Sequence, residues 1–186
     1  MKSNGGMMDY AIVLYMNDEK TAMVKDMIRE LAKESGSDFC LNIVPHVTVA
    51  AIVSDDEEAV KAETEKLSGK LTKGEIKIAS IGVFNPLVLF LAPVVDTYLT
   101  EACRISNETL SKVSEPGNKG RYLPNSWVPH MAVAMKMDKE GLYNAFKKLS
   151  DIFAPFTASI DKMALIKWEE HDPYQELAVY PLNQDA

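Results

Sequence analysis

Pro45-His46-Val47-Thr48-Val49-Ala50 and Pro129-His130-Met131-Ala132-Val133-Ala134 match at four of six positions and lie 84 residues apart. The chain holds only three histidines, and two of them occupy these hexamers. The same ungapped offset carries residues 76–84 onto 160–168 and residues 56–71 onto 140–155. An internal repeat precedes every other reading of a chain, because it fixes the architecture that single motifs sit in.

Working outward from the hexamers, residues 10–15 are aromatic and β-branched and predict a strand. Residues 18–33 carry apolar side chains at helical spacing, with Asp18 as the expected N-cap and Gly36 as the stop. Residues 39–44 and 47–53 flank Pro45-His46 and read as extended. A second helix is predicted from about 55 to 71, opened by acidic residues that favour the positive end of the helix dipole. Residues 75–84 and 87–92 read as a hairpin around Asn85-Pro86, and residues 96–113 as a helix. Residues 114–126 show no periodicity, and a loop of that length is commonly functional. A strand (130–135), a helix (139–152) and a second hairpin (156–168 with 176–180) complete the pattern.

Each half therefore reads strand, helix, histidine strand, helix, hairpin. The expected fold is α+β and bilobal: two antiparallel or mixed sheets with outer helices around a central cleft, related by a pseudo-two-fold axis. Residues 1–8 read as a flexible leader and 9–186 as one domain, its repeat halves centred on 46–84 and 130–168. The axis would bring His46 and His130 face to face. A duplicated strand can also keep Pro-His for packing alone, and meeting or not meeting in one cleft separates the two readings.

In a strand, His46 and Thr48 share a face about 7 Å apart, while Val47 and Val49 point into the core. A hydroxyl there can bind a phosphate oxygen while the imidazole moves a proton. Two imidazoles form an acid–base pair near neutral pH, one neutral and one charged. A zinc site would need at least three protein ligands, and neither hexamer contains Asp, Glu or Cys. His171, among Glu169, Glu170 and Asp172, reads better as a solvated hairpin loop. No metal or other cofactor is expected. Phe84 and Trp168 occupy equivalent strand ends, where they either stack a base or cap each half's core. Lys167 either attracts phosphate or is solvated.

The 186 residues carry a formal net charge of −7, with 47% hydrophobic residues. That balance suits a packed core and disfavours gripping long nucleic acid through its phosphates. The two cysteines, Cys40 and Cys103, lack metal or redox spacing and read as reduced and buried. No apolar run reaches a membrane span of ~18 residues. A cytoplasmic monomer is expected.

The paired His-x-Thr-type strands, each preceded by Pro, resemble the two-histidine phosphoesterase superfamily, which includes 2′-5′ RNA ligase (LigT-like) and cyclic phosphodiesterase proteins. Pro45-His46-Val47-Thr48-Val49 matches fully. Trp127-Val128-Pro129-His130-Met131-Ala132-Val133 is similar to the second motif, and the likeness spans residues 10–180. The resemblance implies metal-independent phosphodiester chemistry on 2′,3′-cyclic phosphates, 2′-5′ linkages or RNA ends, with His46 and His130 as the acid–base pair and Thr48 as a phosphate ligand. One position departs: Ala132 stands where the family has Thr or Ser. Ser126, Arg121 and Tyr122, just before the second motif, either replace the missing contact or are merely solvated. Ala132 also motivates a rival expectation, a nucleotide- or phosphate-binding protein with weak or no catalysis.

Overall fold

The structure is a computed structural model, describing residues 7–84, 88–168 and 174–183. In chain order it contains β1 (Met8–Met16), α1 (Asp18–Ser35), β2 (His46–Ser54), α2 (Glu57–Ser68), β3 (Gly74–Phe84), β4 (Val88–Pro93), α3 (Thr97–Leu110), β5 (Glu115–Pro116), β6 (Met131–Met135), α4 (Lys139–Ile152), β7 (Phe156–Trp168) and β8 (Gln175–Pro181). Each of these α-helices starts on an Asx side chain that accepts a backbone N–H: Asn17, Asp56, Asp96 and Asp138. Such caps satisfy donors that the first turn leaves free. The cap of α1 is Asn17 rather than Asp18, because Asn17 is the last extended residue and its carbonyl accepts the Thr21 N–H. Gly36 ends α1 at φ 66°, a left-handed cap that suits glycine.

The strands pair antiparallel in the order β5-β2-β1-β7-β3-β4-β6, with β8 also on β7. Where two sheets are expected, the hydrogen-bonded network is continuous. The reason is the length of β7: its start pairs with β3 and its remainder with β1 and β8. The element order repeats, β1-α1-β2-α2-β3 and then β4-α3-β6-α4-β7. The pairing repeats too. β1 lies between β2 and β7 while β4 lies between β6 and β3, and α1 packs on α4 while α2 packs on α3.

Alternation along β1 separates two faces. Tyr10, Ile12, Leu14 and Met16 are buried with α1 residues Val24, Ile28 and Leu31, α3 residues Leu99 and Leu110, and α4 residue Leu149. Ala11, Val13 and Tyr15 face the other way, against Ala164 and Ile166. All four helices thus cover one face, and the opposite face is left to form a cavity. Residues 39–42 form a short 3-10 turn instead of extended chain, closed by the Leu41 N–H on the Asp38 carbonyl. Of the expected leader, residues 1–6 lie outside the described residues and Met8 already opens β1. The predicted turn at Asn85-Pro86 and His171 also lie outside them.

Candidate active site

The two histidine strands are built alike in detail. In β2, Ile12 pairs with Ala50 and Val13 with Thr48, so Val49 is skipped. In β6, Leu89 pairs with Ala134 and Phe90 with Ala132, so Val133 is skipped. Both bulges fall at the 84-residue offset. A bulge interrupts strict alternation and redirects the side chains on either side of it. Here it sends Val47, Val49, Ala50 and Ile52 to the helix-covered core and leaves His46, Thr48 and Ala51 on the cavity face. In β6 it likewise buries Met131, Val133 and Ala134 and leaves Ala132 and Met135 on the cavity.

One cavity of about 830 Å³ is lined by His46, Thr48, Phe84, Arg121, Tyr122, Ser126, His130 and Trp168, the eight residues expected from sequence to catalyse or bind substrate. Ala132 lines it as well. Lys167 does not: its ammonium turns toward α2 and pairs with Glu57 at 2.9 Å.

Each imidazole is held in the same way. The Nδ1 of His46 lies 2.7 Å from the Val44 carbonyl, and that of His130 lies 2.8 Å from the Val128 carbonyl. A carbonyl only accepts, so Nδ1 carries the proton in both rings, and Nε2 is the nitrogen left for chemistry. The buried prolines 45 and 129 follow these carbonyl residues and restrict them to extended backbone. Burial pushes His46 down to about 4, with the Val44 carbonyl opposing and the charge of His130 adding to the depression. Burial lowers His130 too, opposed by the Val128 carbonyl. His46 therefore feels the charge of His130, and burial favours the neutral form of both rings.

Their surroundings differ. His46 meets Tyr15 and Tyr174 edge-on, with ring centroids 6.3 and 5.5 Å away. His130 meets Phe84 at 4.8 Å, Phe90 at 5.5 Å and Tyr122 at 6.1 Å. Gly82 makes room for Phe90: a Cβ there would stand 2.4 Å from the Phe90 ring. Phe84 packs on Phe90 at 4.4 Å, and Trp168 on Tyr174 at 5.6 Å, so each cavity aromatic leans on a second ring.

The long loop is tied to β2 at several points. β5 pairs with Ile52 and Val53, and the Gly117 N–H donates to the Ala51 carbonyl at 2.9 Å. A side chain at Gly117 would collide with the Ile52 backbone at 2.8 Å. The Asn107 amide on α3 donates to the Tyr122 carbonyl at 3.0 Å and to the Val49 carbonyl at 3.3 Å, joining the loop to the bulge. The Trp127 indole donates to the Thr48 carbonyl at 3.0 Å. Asn118, Lys119 and Asn125 take positive φ, which lets this short span curl over the cavity. Arg121 is exposed at the rim and, among the described residues, forms no ion pair. The Thr48 hydroxyl likewise makes no hydrogen bond among the described residues.

A sequence profile of the 2′-5′ RNA ligase superfamily matches residues 19–172. The chain belongs to that superfamily. Among solved structures it is similar to E. coli LigT complexed with 3′-AMP, at 12% identity and TM-score 0.65, covering 96% of this chain and 100% of that one. TT0787 of Thermus thermophilus gives 14% identity and TM-score 0.64 over 96% and 100%. Kluyveromyces marxianus Usb1 gives 9% identity and TM-score 0.53 over 97% and 100%. E. coli LigT has also been solved with ATP and with NADP+. No curated protein matches the chain in sequence. Among the described residues, no helix is long and apolar enough to cross a membrane.

Sequence reasoning missed Tyr15, Tyr174, Phe90 and Asn107. The bulge left no signal in the sequence: residues 49–53 are apolar at every position, so the change of face between Val49 and Ala50 shows only in the strand pairing.

Proposed function

We propose that the chain is a phosphodiesterase acting on a 2′,3′-cyclic phosphate or a 2′-5′ linkage of a small nucleotide or RNA end, without a metal. One observation carries the reading: two imidazoles line one cavity, each with Nδ1 fixed on the carbonyl two residues before it. His46, the more strongly held in its neutral form, accepts a proton from the attacking water at Nε2. A phosphodiester's negative charge raises both imidazoles, and His130 is the one that carries a proton. Its Nε2–H protonates the departing 2′ or 3′ oxygen on the far side of phosphorus. Each transfer is worth on the order of 10²–10⁴ in rate.

The Thr48 hydroxyl and the Arg121 guanidinium bind the phosphate oxygens, and Ser126 and Tyr122 complete the wall. Phe84 and Trp168 offer faces for a base. The nucleotides held by E. coli LigT fit a cavity of this kind. In this reading the repeated layout is a doubled unit about a pseudo-two-fold axis, residues 9–186 form one bilobal domain, and the protein is a cytoplasmic monomer.

Purified protein is incubated with 2′,3′-cyclic mononucleotides and 2′-5′-linked dinucleotides in EDTA. Turnover that His46→Ala and His130→Ala each abolish is expected. Ala132, on the cavity where a hydroxyl would oppose Thr48, favours one rival: a nucleotide-binding protein without turnover. Tight nucleotide binding with no hydrolysis, unchanged by either histidine substitution, decides for that rival.

A further inference from the structure

His46 and His130 share one kind of clamp, but among the described residues only that of His46 is itself supported. The Val44 carbonyl accepts from His46, and the Val44 N–H donates to the Tyr174 hydroxyl at 3.2 Å. That hydroxyl lies 3.3 Å from the Tyr15 hydroxyl, which in turn donates to the Glu176 carboxylate at 2.8 Å. The carboxylate only accepts, so Tyr15's single proton is committed to it. Tyr174 must then be the donor between the two tyrosines. All three protons point the same way, from Val44 through Tyr174 and Tyr15 to Glu176, and hydrogen bonds aligned in this way polarise one another.

The relay rests on the scaffold at each step. Tyr15 is buried on β1 and is the cross-strand partner of His46. Glu176 sits on β8, paired opposite Ile166 of β7. Tyr174 closes on the His46 ring edge-on at 5.5 Å. Its alternative acceptor, the Val44 carbonyl, is farther away at 3.5 Å. On the other side, Val128 is exposed, and among the described residues no side chain bonds to it except His130.

We propose that Tyr174, Tyr15 and Glu176 are positioning residues that lock His46 in the Nδ1–H tautomer, with Nε2 permanently presented as the acceptor, while His130 stays free to gain and lose its second proton. The asymmetry assigns the base to the braced ring and the acid to the unbraced one. This rests on the phosphodiesterase reading for its kinetic consequence but not for its structural one.

The test uses the full chain, uniformly labelled with ¹⁵N, and the ring-nitrogen signals of both histidines. Tyr174→Phe keeps the ring and removes the hydroxyl. The expected result is loss of the pure Nδ1–H signature at His46, with His130 unchanged. Where the chain turns over a cyclic nucleotide, kcat falls by about 10- to 100-fold, the effect of a small misplacement of a reacting group, with KM nearly constant. Tyr143→Phe, on the exposed face of α4, changes neither reading. Glu176→Ala, at an exposed end of the relay, gives a smaller shift in the same direction and is read alone if Tyr174→Phe does not fold. An unaltered His46 tautomer in these variants overturns the proposal. Absence of turnover in the parent chain sinks the enzymatic reading alone, because the tautomer signals are read without substrate.

Discussion

Restoring one oxygen to the cavity gives the sharpest probe of the proposed chemistry. Ala132 lines the cavity from β6 at the register position that Thr48 holds in β2, and its backbone neighbour across the ladder is Phe90. Serine adds a hydroxyl there without the methyl of threonine, so it meets Phe90 with the least crowding. A hydrogen bond to a charged phosphate oxygen is worth roughly 1.5–3 kcal/mol. At about 1.4 kcal/mol per tenfold, Ala132→Ser should raise kcat/KM for a cyclic phosphate by roughly 10- to 150-fold. Arg121 sets how much of that range is reached. If its guanidinium already fills the missing hydroxyl's role, the gain is small in the parent and large in an Arg121→Ala background. A double-mutant cycle of Ala132→Ser and Arg121→Ala, followed by steady-state hydrolysis in EDTA, measures both terms. A kcat/KM at or below the parent value in both backgrounds, with unchanged melting temperature, refutes the placement of phosphate between the two histidine strands.

Two further perturbations test the scaffold. His46 is held at about 4, against 6.5 for an unperturbed ring, so above pH 6.5 neither folded nor unfolded chain protonates it. Between those values only the unfolded chain binds the proton, and stability falls as pH drops through that window, by up to about 3 kcal/mol at roughly 1.36 kcal/mol per pH unit. Urea unfolding at about pH 7 and about pH 4.5, either end of that window, should show His46→Asn losing less stability on acidification than the parent; equal losses exclude His46 as a source. Asn107→Ala removes the donor shared by the Tyr122 and Val49 carbonyls. It should cost about 1–3 kcal/mol and speed amide exchange in residues 118–126, measured by mass spectrometry, with α1 and α4 unaffected.

Much of the arrangement was legible because the duplicated hexamer constrains both local structure and topology. Pro45-His46 and Pro129-His130 announce a strand start, a carbonyl clamp and, by their offset, a repeat. α4 falls on residues 139–152 as its periodicity predicts. The two sheets merge because β7 pairs with β3 at its start and with β1 and β8 over the rest; its length was legible, but which distant strands share it is marked by no local pattern. The Tyr15–Tyr174 contact spans 159 residues. Nothing local in either segment marks it, since a tyrosine ending a strand reads the same with or without a distant hydroxyl to meet. Asn107 is hidden for a related reason: an asparagine in a helix's last turn is ordinary, and besides the Cys103 carbonyl of its own helix it donates to two carbonyls brought from elsewhere.

The departure at Ala132 follows from its neighbours. Thr48 pairs with Val13 and Ala132 with Phe90, so a larger ring stands where the first half has a small aliphatic side chain. Gly82, which faces that ring directly, has no side chain at all. Two small residues thus flank one large one, and the volume taken by Phe90 is the volume its neighbours give up. The same ring lies 5.5 Å from His130 and 4.4 Å from Phe84, so what the second half gains is an apolar wall around its imidazole. Burial by such a wall disfavours imidazolium until an anion arrives to pair with it. In the proposed reaction His130 takes up its proton together with the phosphate, which would couple the acid's readiness to substrate binding. His46, walled by Tyr15 and Tyr174 and pushed down by burial to about 4, serves the proposed reaction as base in the neutral form it already has.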